Sequence, residues 1–437
     1  MRTVFCIAAI LIALVLPGLV FAQNAPLRIE ITEGVQRPMP VALRFDDAGN
    51  AAELVSDIVQ VIAADLEGAG LFEVIDPEGM PAVRFNQAVD YAGWKAGEVE
   101  ALVTGMASVD EDAVTIQFRL FDIFAGEPLG DGMQFDAPRE GWRRAAHKIA
   151  DQIYSRITGE APYFDSRIAF IGESGPATAR IKRVGVMDYD GEGVKWLTSQ
   201  NDLVLSPRFS PDGRTVLYTS FGSGMPQIMA MDVDTVTATP LTDDATSMSF
   251  APRFSPDGKW VAFSRESGGN TDIWIMQVRN PGFAKPLTRG PSIDTAPSWS
   301  PDGQQIVFES DRSGTSQLYV MRADGTDQTR ISFGEVGSYG EPAWSPRGDR
   351  IAFTKQMTGG SAIGVMRPDG SGEQLLTEGS ADAGPSWAPN GRVLIFTRQS
   401  DEEADAGLHY VDISGRSMRF VTPSNTASDP AWGPLLP

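Results

Sequence analysis

Two histidines are the residues best suited to proton transfer or metal binding, and neither stands where such chemistry needs it. A histidine titrates near neutral pH and is a common metal ligand, but both roles require further polar groups at defined spacings. His147 falls in a predicted helix and His409 in a predicted strand of another domain, and neither belongs to a metal-ligand pattern. We therefore expect both histidines to be structural, with no metal and no cofactor bound.

Short motifs for nucleophilic catalysis and ligand binding are also incomplete. The segment 172–176, Gly-Glu-Ser-Gly-Pro, comes nearest to a Gly-x-Ser-x-Gly nucleophile elbow but ends in proline. The segment 188–191, Asp-Tyr-Asp-Gly, hints at a calcium loop but lacks the downstream glutamate of an EF-hand, so we interpret it as a turn. Asp and Glu are numerous enough to leave a glycosidase pair open, although no spacing points to one. The sequence thus predicts no catalytic residue, and we expect a protein that is not an enzyme.

A repeated turn-and-strand motif organises the chain instead. The first copy, 207–213, reads Pro-Arg-Phe-Ser-Pro-Asp-Gly, and its relatives begin at Pro252, Pro297, Pro342 and Pro385, with a fragment at Pro430. The leading prolines are 45, 45, 45, 43 and 45 residues apart, a period that suits a four-stranded propeller blade. Ser-Pro-Asp-Gly is turn chemistry, because proline presets φ and glycine accepts a positive φ.

The two ends of the repeat region complement each other. Residues 167–171 read as a second strand with no Pro-x-aromatic strand before it, and 430–432 read as a first strand with no second strand after it. We expect the C-terminal strand to close a ring against the first blade, which leaves no open sheet edge. An open solenoid is the alternative, but solenoids need polar caps and these ends are apolar. The prediction is an all-β six-bladed β-propeller over residues 163–437.

An α+β domain is predicted before the propeller, over residues 35–160. Helical spacing of apolar residues marks 51–67 and 139–158, and a shorter helix is expected at 91–96. Strand patterns occur at 40–45, before the first helix, and at 71–75, 98–108, 113–121 and 133–135, between the helices.

The first 34 residues are predicted to be a leader and an arm. Residues 1–22 combine Arg2, an apolar run and a small-residue cleavage site, which is typical of a signal peptide; a retained anchor is the alternative. In the arm, 23–34, apolar and polar residues alternate, as in an edge strand or in a strand that joins another protein's sheet. The net charge of −21 argues against nucleic acid and anionic membrane surfaces as partners. We expect an exported monomer with no membrane-spanning segment.

These features together resemble one family. The Ser-Pro-Asp-Gly blades are similar to the repeats of TolB-type propellers and of prolyl-oligopeptidase-type enzymes. The order of leader, α/β domain and C-terminal propeller resembles the TolB family of the Tol–Pal system, as do the stretches 40–45, 62–66 and 101–105. A propeller-gated secreted hydrolase would need a hydrolase domain for which the chain has no room, and a propeller that binds a small ligand is the other alternative.

The resemblance implies a periplasmic, non-enzymatic adaptor with two protein partners. In that family the propeller binds the lipoprotein Pal and the N-terminal arm binds TolA, and the system maintains the outer membrane and helps it constrict at cell division. Other envelope proteins are possible partners. The residues of the arm that would then contact TolA are Leu27, Arg28, Ile29, Glu30, Ile31 and Thr32.

The position of the Pal site is predicted from the repeat. Residues just before each Pro-x-aromatic should ring one mouth of the central channel, with an apolar sector at Leu203, Met248 and Ile293. The opposite sector is acidic, and an apolar patch rimmed by charge is typical of an interface. The resemblance implies contacts at Met248, Ala251 and Thr295, although Met248 replaces a polar residue common in the family. The predicted Pal-binding residues are Met248, Phe250, Ala251, Ile293, Thr295, Glu341, Asp382 and Asp429.

Overall fold

The computed structural model describes most of the chain after the predicted arm. The described residues are 37–49, 51–176, 179–200, 203–334, 337–378, 381–399, 406–421 and 426–437. The predicted signal peptide, 1–22, and the predicted TolA-binding residues of the arm, 23–34, lie outside these ranges. Within them, no helix has the length and apolar character needed to cross a membrane.

The N-terminal domain is a mixed sheet with two long helices packed on it. Its strands are β1 (Met39–Asp47), β2 (Phe72–Ile75), β3 (Ala101–Asp110), β4 (Ala113–Asp122), β5 (Glu127–Pro128) and β6 (Met133–Pro138). Its α-helices are α1 (Ala52–Gly68), α2 (Tyr91–Ala96) and α3 (Trp142–Thr158), the last preceded by a 3-10 turn at Arg139–Gly141. The sheet order is β2-β1-β3-β4-β5, with β6 also paired to β4, and β1 runs parallel to β2 and β3.

Helical periodicity explains where α1 and α3 lie. Ile58 and Ile62 of α1 and Ile149 and Ile153 of α3 are fully buried in one core, together with strand residues such as Val103. The three predicted helices are confirmed, except that 139–141 form a 3-10 turn before α3. The short strand β5, which pairs with the end of β4, lies in a stretch for which no strand was predicted.

The rest of the chain folds into a β-propeller. The outer strands of its first sheet are β7 (Ser166–Ser174), β8 (Ile181–Asp188) and β9 (Lys195–Trp196). Three four-stranded sheets follow, made of β10 (Val204–Phe209), β11 (Thr215–Ser220), β12 (Gln227–Asp232) and β13 (Thr237–Pro240); β14 (Met248–Phe254), β15 (Trp260–Ser267), β16 (Asn270–Gln277) and β17 (Asn280–Pro286); and β18 (Asp294–Trp299), β19 (Gln305–Ser310), β20 (Gln317–Arg322) and β21 (Thr329–Arg330).

An eight-stranded sheet and a closing strand complete the propeller. The eight strands are β22 (Ser338–Trp344), β23 (Ile351–Met357), β24 (Gly360–Met366), β25 (Gln374–Leu375), β26 (Ala381–Trp387), β27 (Val393–Gln399), β28 (Gly407–Asp412) and β29 (Met418–Val421). One parallel pair, Ser361 with Ala381, joins the two halves of that sheet. The last strand, β30 (Ala427–Leu435), pairs with β7.

This pairing closes the ring as the ends of the repeat predicted. Ala431 stands opposite Ala169 and Trp432 opposite Ile168, in an antiparallel register. The innermost strands follow one another around the ring in the order β10, β14, β18, β22, β26 and β30, each in contact with the next, and β30 returns to β10. The space that these strands enclose is called the channel below.

The Ser-Pro-Asp-Gly segments form the predicted turns. The hydroxyl of Ser210 donates to Oδ1 of Asp212 at 2.5 Å and accepts the N–H of Thr215 at 2.9 Å, while Gly213 has a φ of +72°. Because the serine hydroxyl donates to it, the pKa of Asp212 lies below its ordinary value. The same bonds recur at Ser255 and Ser300, so each turn leads directly from an innermost strand into the next one out.

One aromatic cluster joins the propeller to the N-terminal domain. The ring of Trp432 lies 6.0 Å from that of Tyr163 and 4.9 Å from that of Tyr410, and its indole N–H donates to Oγ of Ser166 at 2.8 Å. Trp432 therefore packs with the first sheet, which agrees with the predicted closure of the ring by the C-terminal strand. These residues share a continuous apolar core with α1 and α3.

Candidate partner-binding site

Each innermost strand is interrupted by one residue in the left-handed region. The six residues occupy equivalent repeat positions and have φ between 50° and 64°; they are Ser206, Ala251, Ala296, Glu341, Gly384 and Asp429. At each of them the register with the neighbouring strand shifts, which is the signature of a β-bulge. The bulge turns the backbone N–H away from the strand ladder and leaves it to find another acceptor.

The freed N–H groups bond to the sheet before them. The N–H of Ala296 donates to Oγ of Ser264 at 3.0 Å, and that of Asp429 donates to Oγ1 of Thr397 at 3.0 Å. In both cases the acceptor lies on the second strand of the preceding sheet. The bulges therefore connect successive sheets around the channel and fix the rim on which the predicted site lies.

The predicted apolar sector is present at this rim. Leu203 is 45% exposed and Ile293 is 51% exposed, although both are large apolar side chains. Met248, at the start of β14, is half-buried, as are Phe250 and Thr295 next to the bulges. Such exposure leaves apolar surface in water that a partner could cover.

Two of the three predicted acidic residues also reach the rim. Glu341 is exposed, and its Oε2 accepts the hydroxyl of Thr354 at 2.7 Å and the N–H of Gly384 at 2.8 Å. Asp429 is half-buried, and its Oδ2 accepts the N–H of Ser206 at 3.3 Å. Both carboxylates thus hold bulges of the next sheet in addition to facing the channel.

The third predicted acidic residue, Asp382, does not reach the rim. Asp382 is fully buried, and its two oxygens accept from Nε and Nη2 of Arg398, both at 2.7 Å. Arg398 stands directly opposite it in the antiparallel register of β26 and β27, so the charge is neutralised inside the sheet. The expectation of an exposed carboxylate at this position was wrong, and Asp382 offers no charge to a partner.

Two arginines in the channel were missed. Arg208 and Arg253 occupy the middle position of Pro-x-aromatic on β10 and β14, where later copies have serine or alanine. Both are half-buried, and burial lowers the pKa of each guanidinium, that of Arg253 well below its ordinary value. The signal was visible in the sequence, because only the first two copies have a charged residue there.

His147 has close ionisable neighbours that the sequence did not reveal. Its Nδ1 lies 2.7 Å from Asp65 of α1, and its Nε2 lies 3.6 Å from Asp190 of the propeller. Burial lowers the pKa of His147, but the two carboxylates outweigh burial and hold that pKa above its ordinary value. His409, on β28, lies against the rings of Phe396 and Phe420.

Asp65, His147 and Asp190 have the residue types and the proximity of a metal centre. One ligand atom from each lies within 4.8 Å of the other two. However, both oxygens of Asp65 are already used, by His147 and by the hydroxyl of Tyr189 at 2.7 Å, and Arg143 forms an ion pair with Asp190. A cation beside the site and a satisfied carboxylate favour an ionic network between the domains, and we assign no metal to it.

The chain matches two family models. One is described as the TolB beta propeller domain and matches residues 154–436, and the other is described as the TolB amino-terminal domain and matches residues 27–129. Curated relatives include Tol-Pal system protein TolB of Jannaschia sp. (strain CCS1), 52% identical over 244 residues, which are 55% of this chain and 54% of that protein. The protein of the same name from Cereibacter sphaeroides (strain ATCC 17029 / ATH 2.4.9) is 54% identical over 245 residues, 55% of each chain. These matches span about half the length of the relatives.

Solved structures resemble a larger part of the chain. The crystal structure of TolB from Acinetobacter baumannii superposes with a TM-score of 0.81 at 26% identity, over 91% of this chain and 97% of that one. Hydrazine synthase of Kuenenia stuttgartiensis has a TM-score of 0.52 at 16% identity, over 63% of this chain and 47% of that one, which is a likeness of fold alone.

Proposed function

Because the chain belongs to the TolB beta propeller family, we propose that it is a non-enzymatic periplasmic adaptor of the Tol–Pal system. Its propeller binds the lipoprotein Pal and its N-terminal arm, 23–34, binds TolA. In this role it supports the integrity of the outer membrane and its constriction at cell division. The names of the curated relatives support membership of the system.

The proposed propeller has six blades. Four sheets of four strands supply four blades, one of them completed by β30, and the eight-stranded sheet supplies two, because a single residue pair joins its halves. Six bulges at equivalent positions and six innermost strands in a ring support the same number.

The observation that carries the Pal site is the exposed apolar sector at the channel rim. Leu203 and Ile293 are about half exposed and stand on neighbouring parts of the ring, with Met248 between them in chain order. Small residues at the adjacent bulges, such as Ala251, leave room for a partner's loop. The proposed site comprises Met248, Phe250, Ala251, Ile293 and Thr295, together with Glu341 and Asp429 on the opposite side.

The Ala251→Arg variant tests this site. The new side chain fills the rim without entering a core, and arginine has the same Cβ as alanine, so the left-handed backbone is no more strained than before. We expect at least a tenfold loss of affinity for purified Pal by calorimetry, with unchanged thermal stability. Phe283→Arg is the matched control, since Phe283 is 76% exposed on the outer strand β17. Normal Pal binding by a folded Ala251→Arg protein would place the site elsewhere.

A further inference from the structure

The channel contains two arginines with unused hydrogen-bond donors. Nη1 of Arg208 donates to the carbonyl of Pro207 at 2.6 Å, and Nη1 of Arg253 donates to the carbonyl of Pro252 at 3.1 Å. These are the hydrogen bonds that their side chains make to the described residues. A guanidinium has five N–H donors in a planar fork, so most of those on this pair remain available.

The pair stands on β10 and β14, two neighbouring innermost strands of the ring. Asp429 on β30 and Glu341 on β22 both favour the charged form of Arg208 and of Arg253, although β22 lies across the channel from β10. No ion pair joins either carboxylate to either guanidinium; Oδ2 of Asp429 and Oε2 of Glu341 instead accept the bulge N–H groups of Ser206 and Gly384. Arg208 also disfavours the charge on Arg253. Two like charges, partly shielded from water, therefore stand side by side without a direct counter-ion.

We infer that Arg208 and Arg253 form a carboxylate-binding site inside the channel, which receives an acidic side chain or a terminal carboxylate of the protein docked at the rim. The inference rests on the proposed function and adds the chemistry by which the partner is recognised. Arginine forks bind carboxylates through two parallel hydrogen bonds, which gives direction as well as affinity.

The two strands that bear the arginines also bear the apolar rim. Leu203 immediately precedes β10 and Met248 begins β14, so each strand presents an apolar side chain outside and a guanidinium further in. The acidic residues Glu341 and Asp429 stand on other strands. A partner loop with an apolar residue and a carboxylate a few residues apart fits this half of the channel, and the opposite half repels a second carboxylate.

Pal affinity of the Arg208→Ala/Arg253→Ala protein is the first test. We expect a loss of about tenfold or more and a weaker dependence of the affinity on salt, because a charge-assisted pair contributes on that order. The Arg208→Lys/Arg253→Lys protein should recover part of the affinity for Pal. Arg214→Ala/Arg322→Ala removes the same charge from exposed side chains and serves as the control. If the Ala/Ala protein binds Pal with the affinity of the wild-type protein, the inference is wrong.

A second test does not depend on Pal. Sodium acetate, compared with sodium chloride at equal ionic strength, should raise the Tm of the wild-type protein by about 1 °C more than that of the Ala/Ala variant. The Ala/Ala protein should itself melt no lower than wild type, because two shielded like charges are removed.

Three outcomes of these tests would count against the proposals. Equal responses of the two proteins to acetate rule out a carboxylate site. An acetate response without any effect of the variant on Pal identifies a small-anion site and overturns the role in partner binding. If the wild-type protein fails to bind Pal, the proposed function is wrong, and the acetate result still decides whether the carboxylate site exists.

Discussion

Nδ1 of His147 lies 2.7 Å from Oδ2 of Asp65, so α1 and α3 share a buried imidazole–carboxylate pair. The other ring nitrogen faces Asp190 of the propeller at 3.6 Å. The ring of His147 thus stands between carboxylates of both domains, and Arg143, Tyr189 and Asp188 are further ionisable neighbours.

The raised pKa of His147 predicts a pH-dependent stability. The folded protein binds the proton more tightly than the unfolded chain, so this contribution is complete below the unfolded pKa, about 6.5, and is lost as the pH rises through the higher folded value. Urea unfolding should therefore give a falling free energy above pH 6.5. Asp151, whose pKa burial raises to about 6, titrates mainly below this window.

Two variants isolate the histidine. His147→Gln should lower the stability and flatten the profile above pH 6.5. His409→Gln should keep the decline, because burial lowers the pKa of His409 and its contribution is lost as the pH falls below 6.5. A flat wild-type profile above pH 6.5 contradicts the assigned role of His147.

Trp432→Ala should destabilise the protein by about 3–5 kcal/mol. The variant leaves a cavity among Tyr163, Tyr189 and Tyr410 and removes the donor to Ser166. Equilibrium unfolding measures the loss of stability. The control Trp196→Ala, at a half-buried residue of the outer strand β9, should cost less.

Removal of residues 428–437 should destabilise the protein more than Trp432→Ala does. Unchanged thermal stability in that truncation would refute closure of the ring by β30.

The bulges predict opposite effects for opposite substitutions. Gly384→Ala should cost about 1 kcal/mol, because φ is +64° and the added Cβ meets no atom within 4 Å, so only the backbone is strained. Ala296→Gly relieves the same strain at φ 51° and should stabilise, by less, since glycine gains freedom in the unfolded chain. Ala230→Gly, in the regular strand β12, should instead destabilise by about 0.5–1 kcal/mol. The same sign for Ala296→Gly and Ala230→Gly would count against strain at the bulge.

Deletion of residues 23–34 tests the proposed arm. We expect TolA binding to be lost and Pal binding to persist, because an alternating segment can pair with a foreign sheet edge through its backbone. Ile29→Asp should weaken TolA binding without the deletion. Binding assays with both purified partners separate the two effects, and retained TolA binding in the deletion would make the segment an ordinary edge strand.

The repeat was predictable because its information is local. A fixed period, a turn sequence and the complementary ends at 167–171 and 430–432 determine the strands and their closure. The left-handed residues were not predictable, because only Gly384 among the six is a glycine. Bonds from the bulges to a neighbouring sheet, as at Ala296 and Asp429, form only in the folded ring.

The polar contacts depended on tertiary structure in the same way. Asp382 pairs with Arg398, which lies 16 positions later in the chain, and is therefore buried. Asp65, the carboxylate beside His147, lies 82 positions earlier than the histidine. Residues so far apart in the chain do not form a motif that sequence analysis can recognise. The charged Arg208 and Arg253 were visible as departures from the repeat, but their meaning depends on which strands enclose the channel.

The partner of β7 is synthesised long after it. Trp432 of β30 bonds to Ser166 of β7 across 266 positions of the chain, so a chain that folds as it emerges holds the inner side of β7 unpaired until nearly all of it is present. An unpaired strand edge is a template for other chains. Premature termination before Ala427 would therefore leave this strand edge open to strands from neighbouring molecules, and the harm would come from association as much as from lost stability.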